Sequence, residues 1–165
     1  MSSPESFPMH GACACKAVRY DVLTAPLIVH CCHCTYCQRE TGSAFAVNAV
    51  IEADRVTFHG VPPERVITAS HSGKGQTILR CPTCHVAVSS HYAVSGPAFH
   101  FLRVGTLEHP ERCPPDIHIY TSTKQPWVVL PPGARAVPEF YRPPEVWTLE
   151  AQARWKAAKA ASAAQ

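Results

Sequence analysis

Between residues 17 and 104, apolar and polar positions alternate in short runs, the period-two signature of half-buried strands. In residues 17–22, Val18, Tyr20 and Val22 share one face, and Arg19 and Asp21 share the other. Residues 45–51 repeat this, with Phe45, Val47, Ala49 and Ile51 on a common face. Further strands are predicted at 55–58, 65–69, 76–80, 86–92 and 99–104, separated by segments that contain Gly or Pro. Ser72-Gly73-Lys74-Gly75 predicts a hairpin turn between two of them. From Glu145 the period changes. Trp147, Ala151 and Trp155 recur at helical spacing in an Ala-rich run, which predicts a C-terminal helix docked through its tryptophans. A frayed Ala/Ser tail is expected beyond it, with Lys159 near enough the end to suit the helix dipole. The fold class expected is mainly β, antiparallel, with one terminal helix.

Composition sharpens this only a little. A chain of 165 residues with 46% hydrophobic and 16% charged positions can bury a core of its own as one domain. Sixteen prolines explain why the strands are short. The net charge of +3 comes without any Lys/Arg run long enough to follow a phosphate backbone, so no nucleic-acid partner is expected. No stretch of about 18 apolar residues occurs, so no membrane span is expected either. Residues 1–11 lack the basic start and apolar stretch of a signal peptide, and a cytoplasmic location is the expectation. Nine cysteines in that setting read as metal ligands rather than as disulfides.

Eight of the nine fall into three clusters: Cys13-Ala14-Cys15, Cys31-Cys32-His33-Cys34-Thr35-Tyr36-Cys37 and Cys81-Pro82-Thr83-Cys84. Zinc takes four ligands at tetrahedral corners, and two cysteine pairs distant in sequence make a closed four-thiolate site. Cys81 and Cys84 are half of such a site. Their partners are either Cys34 and Cys37, a zinc-ribbon arrangement, or Cys13 and Cys15. Spacing alone leaves both open. The ligand count leans to the second, because Cys32, Cys34 and Cys37 can then reach one metal from one loop and leave its fourth position free. Cys113 stands alone, and it and Cys31 read as buried or incidental thiols; in an extended segment Cys31 points away from Cys32.

The segments Gly11–Tyr20, Cys32–Phe45 (with Gln38-Arg39-Glu40-Thr41-Gly42) and Cys81–Cys84, followed by Asp116–Tyr120 and Pro126-Trp127, resemble the glutathione-dependent formaldehyde-activating enzyme family, which also includes the centromere protein V domain. The resemblance runs from about Gly11 to Tyr141. It implies a zinc-stabilised, folded-sheet architecture of the β-tent kind over residues 11–142, after an N-terminal extension (1–10) and before the helix and tail (143–165). It also implies two zinc ions per chain: a structural one on Cys13, Cys15, Cys81 and Cys84, and a catalytic one on Cys32, Cys34 and Cys37. The implied activity is that of a carbon–sulfur lyase or synthase joining a small thiol such as glutathione to formaldehyde. The alternative is a non-catalytic zinc module that binds a small thiol or a protein.

Glutathione carries two carboxylates, so a cationic clamp is expected. Arg39 and then Lys124 are the candidates. His33, between two ligands, is placed to support the metal or relay a proton. One departure stands out. The family has Gly after the second cysteine of the third cluster and this chain has His85, which must then adopt a left-handed backbone or reshape the turn.

Overall fold

A computed structural model describes residues 7–164. Ten strands form: β1 (Met9–Ala12), β2 (Val18–Val22), β3 (Ile28–Cys32), β4 (Ala46–Glu52), β5 (Val56–Gly60), β6 (Glu64–Thr68), β7 (Gln76–Arg80), β8 (Ala87–Tyr92), β9 (Phe99–Arg103) and β10 (Ile117–Ile119). Helix α1 (Thr35–Thr41) follows β3, and α2 (Pro143–Val146) and α3 (Leu149–Ala163) close the chain. The strands make a three-stranded sheet of order β1-β2-β5 and a seven-stranded sheet of order β10-β3-β4-β9-β8-β7-β6. Every pairing is antiparallel except that of β10 with β3. The mainly β fold with a terminal helix agrees with the sequence pattern.

Alternation along β3 and β4 divides the large sheet's two faces between two cores. Val29, Ala49 and Ile51 join Val18, Tyr20 and Val22 in a core between the sheets. Ile28, Cys32, Ala46 and Val50 face the other way, towards Tyr141 and Ala151 of the C-terminal segment. Gly11 lies opposite Tyr20 in the β1–β2 register, and a Cβ there would fall 2.2 Å from the Tyr20 ring. A glycine is what lets that ring lie flat across β1.

Three details differ from the sequence expectations. The segment at 28–32 was not expected as a strand: it is buried on both faces, so it shows no alternation. Strand β1 begins at Met9, so the chain joins the sheet before residue 11; residues 1–6 of the expected extension lie outside the described residues. The terminal helix begins at Leu149 rather than Glu145. Thr148 is its N-cap, with its hydroxyl accepting the Ala151 amide at 3.1 Å, and Trp147 precedes the cap. The helix continues to Ala163, so Lys159 lies before the last turn and the Ala/Ser segment is helical rather than frayed. No helix among the described residues is long and apolar enough to cross a membrane.

Candidate metal centres

Two turns of similar design bring the first cysteine group together. After β1 the chain folds back at Cys13–Lys16, with the Lys16 amide bonded to the Cys13 carbonyl at 3.0 Å and Lys16 at φ 61°. After β7 it folds back at Cys81–His85, with the His85 amide on the Cys81 carbonyl at 2.9 Å and His85 at φ 59°. Each turn therefore places a left-handed residue directly after its second cysteine, and His85 takes the conformation expected of the glycine it stands in for. Amides of Val18 and Thr83 point at the Cys13 and Cys81 sulfurs, at 3.3 and 3.4 Å. The sulfurs of Cys13, Cys15, Cys81 and Cys84 all lie within 4.8 Å of one another. Neighbouring sulfurs are 3.6 Å (Cys13–Cys15) and 3.7 Å (Cys15–Cys81) apart. A tetrahedral zinc with bonds of about 2.3 Å needs an edge of about 3.8 Å. The group fits that ion, and the sulfurs of Cys34 and Cys37 belong to a different compact group.

The second group forms where β3 meets α1. Cys32 ends the strand, and Cys34 is the N-cap of α1, its sulfur accepting the Cys37 amide at 3.4 Å. Helical spacing then turns Cys37 back towards Cys34. The sulfurs of Cys32, Cys34 and Cys37 lie within 4.8 Å of one another, and all three residues are buried. Side-chain bonds from Cys32 and Cys37 hold the Cys34 thiol down at about 2. Bonding to Cys34 and Cys37, with burial, pushes Cys32 far up. Three buried thiols this close oppose one another's ionisation, and a bound cation is what would allow all three to ionise. The donor set therefore fits zinc with one position left over.

That leftover side faces a cavity of about 400 Å³. Cys32, Cys34 and Cys37 form part of its wall, with Tyr36, Tyr92, Phe101, Tyr120 and Phe140 opposite and around them. Arg103 and Glu40 are its charged residues; the first is bonded to Asn48 and the second to Arg80. His30 also lines it. Burial holds His30 down to about 4, so its ring is neutral. Trp147 Nε1 donates to the Tyr141 hydroxyl, which donates in turn to His30 Nε2, both at 2.6 Å, and the imidazole proton is left on Nδ1.

The remaining candidates are placed as follows. His33 is buried, with Nε2 3.0 Å from His118 Nδ1 and 3.6 Å from the Cys31 sulfur. Parallel pairing of β10 with β3 puts His118 opposite Cys31, and the three ligand atoms form a further compact group on the face away from Cys32. Arg39 is exposed on α1 and is not in the cavity wall. Lys124 is not in the wall either; its ammonium donates to the carbonyls of Gln125 (3.1 Å) and Val128 (2.6 Å). Gln38 rather than Arg39 ties α1 to this loop, donating to the carbonyls of His33 (2.7 Å) and Thr123 (2.9 Å) and accepting from Gln125. Sequence reasoning missed His30, although it sits two residues before Cys32 on one strand face. Nothing local in the sequence marks Phe140 or Arg103.

Among solved structures, one Rhodobacter sphaeroides protein is 22% identical, matching 61% of this chain and 88% of its own at a TM-score of 0.47, and no argument rests on that likeness. No curated protein matches the chain. The family model described as glutathione-dependent formaldehyde-activating enzyme matches residues 8–123, a span that holds both cysteine groups and more than half of the chain. This chain belongs to the glutathione-dependent formaldehyde-activating enzyme family.

Proposed function

We propose that the chain is a zinc-dependent carbon–sulfur lyase or synthase acting on a thiol–aldehyde adduct, with glutathione and formaldehyde as the pair its family name suggests. Cys13, Cys15, Cys81 and Cys84 hold a closed structural zinc. Cys32, Cys34 and Cys37 would hold a second one, with the substrate sulfur entering from the cavity side. The observation that carries the reading is the contrast between the two groups: the three-cysteine group opens on the 400 Å³ cavity, and the four-cysteine group contributes no wall to it.

Zinc at the open site supplies positive charge that lowers a thiol's pKa and fixes the sulfur's position. The chain's own residues do the rest. Its aromatic wall excludes water and holds the aldehyde carbon against the sulfur. In the forward direction a carbon–sulfur bond forms, the carbonyl π bond breaks, and the thiol's proton ends on the former carbonyl oxygen. The reverse returns thiol and aldehyde. His30, neutral and carrying its proton on Nδ1, orients that oxygen by hydrogen bonding and need not itself ionise.

The test is exchange between glutathione and S-hydroxymethylglutathione, followed by magnetisation-transfer NMR with and without the zinc-loaded protein. Exchange should quicken in proportion to protein concentration, and a Cys32→Ser/Cys34→Ser/Cys37→Ser variant should do nothing. Equal exchange with the two proteins would overturn the reading.

A further inference from the structure

The wall of the cavity suits a different substituent from the one glutathione carries. Glutathione brings two carboxylates and an ammonium. Of the cavity's two charged side chains, Arg103 is 7% exposed and bonded to Asn48, and Glu40 is bonded to Arg80. Arg39 and Lys124, the cations nearest in sequence, stand outside the wall. Arg103 bonds Asn48 through Nη1 and its Nε has no partner, so two carboxylates would share this one cation in a mostly aromatic wall and lose hydration on entry.

Apolar surface, by contrast, is plentiful and continues beyond the cysteines. A second cavity of about 240 Å³ shares His30, Val94, Ser95, Phe101 and Phe140 with the first and runs on to Trp147 and Trp155, with Gln152 and Lys156 its further polar members. Phe140 stands at the junction: it is half exposed, stacks on Tyr141 at 4.7 Å and meets His30 edge-on at 5.8 Å. Phe140, Trp147 and Trp155 all lie beyond residue 123, outside the span that matches the family model. The segment beyond residue 123 thus supplies the far end of the groove.

Building on the open three-cysteine site, we infer that the thiol this chain takes best, alone or as its aldehyde adduct, bears an apolar aryl or alkyl group that lies along the groove between Phe101, Phe140 and Trp147, with glutathione a weaker substrate of the same site. The sulfur sits at Cys32, Cys34 and Cys37, and the apolar group points to α3. A buried phenyl ring gains more from such a wall than a charged peptide does.

Cobalt(II)-loaded full-length protein provides the test, since its absorption bands respond to a fourth ligand at a three-thiolate site. Three probes are titrated: 2-phenylethanethiol, glutathione, and 2-mercaptoethanol as a small polar control. The expected result is a band shift with 2-phenylethanethiol at a Kd at least tenfold below that of either other thiol. Phe140→Ala should weaken 2-phenylethanethiol at least fivefold more than it weakens 2-mercaptoethanol; the side chain is half exposed, so folding is retained. Glutathione binding as tightly as 2-phenylethanethiol would overturn the inference and leave the open site standing. Tighter 2-phenylethanethiol binding that Phe140→Ala does not affect would overturn the groove as the recognition element. No band shift with any thiol would remove the open site itself, and the inference with it.

Discussion

His85 sits at φ 59° with an exposed side chain, holding the turn that aims Cys81 and Cys84. A left-handed conformation costs a residue with a Cβ about 1–2 kcal/mol, and glycine recovers part of this after its larger unfolded-state entropy is set against it. His85→Gly should therefore raise the stability of the zinc-loaded protein by about 0.5–1 kcal/mol in urea unfolding. A loss of stability would mean that the imidazole itself supports the turn. His100 makes a second case. It is buried between the sheets with Nδ1 2.9 Å from the Ser89 hydroxyl, and burial first, then His91 and Arg65, hold it down to about 3. Because its folded pKa lies below the ordinary value near 6.5, the unfolded chain binds the proton first as pH falls. The stability His100 contributes is complete above about pH 6.5 and is lost progressively towards pH 3. Relative to His100→Phe, the wild type should lose stability over that window, measured as the difference between two urea midpoint curves. Parallel curves would show that His100 has another role. At this scale the cysteines were legible, since ligand chemistry is a property of residue type and spacing; the neutral, buried state of His30 and His100 depends on neighbours far away in the chain.

Helix α3 is docked by rings and one ion pair. Trp155 stacks on Phe99 with centroids 3.6 Å apart, and Arg154 grips Glu52 through Nε and Nη2 at 2.8 and 2.7 Å. Both charges are mostly shielded, with side-chain exposures of 20% and 6%, so the pair counts for more than a surface salt bridge. Burial pushes the Glu52 carboxyl up, but the Arg154 bonds outweigh it and leave the pKa below the usual carboxylate range. A depressed carboxylate stabilises the fold above its unfolded pKa and loses that contribution as pH falls through the folded one. Arg154→Ala should cost about 2 kcal/mol at pH 7 in urea unfolding, and less below pH 4. A cost that does not change with pH would assign the effect to packing alone. The period-two strands and the helix were legible because each presents one face to a core. Strand β3 was not, being buried on both faces, and α1 was hidden among cysteines that read as a loop. The helix start was misplaced because Trp147 matched the spacing while Thr148 set the cap.

Across the whole molecule, the two cysteine groups have different mechanical positions. Cys13 follows β1 in the small sheet and Cys81 follows β7 in the large one, so the four-cysteine group ties the sheets together around the shared core. The three-cysteine group joins only β3 and α1, on the opposite face. Losing the first should loosen the entire fold, by several kcal/mol, while losing the second should leave it largely intact. A Cys81→Ser protein should accordingly unfold far more readily in urea than a Cys34→Ser protein, and equal losses would contradict this division of roles.

The division of roles is the central claim, and zinc per chain tests it most directly. Elemental analysis is made on chelator-free protein resupplied with zinc, alongside the folded Cys32→Ser/Cys34→Ser/Cys37→Ser variant. The account predicts about two zinc ions in the wild type and about one in the variant. One zinc in the wild type, or two retained by the variant, would contradict it.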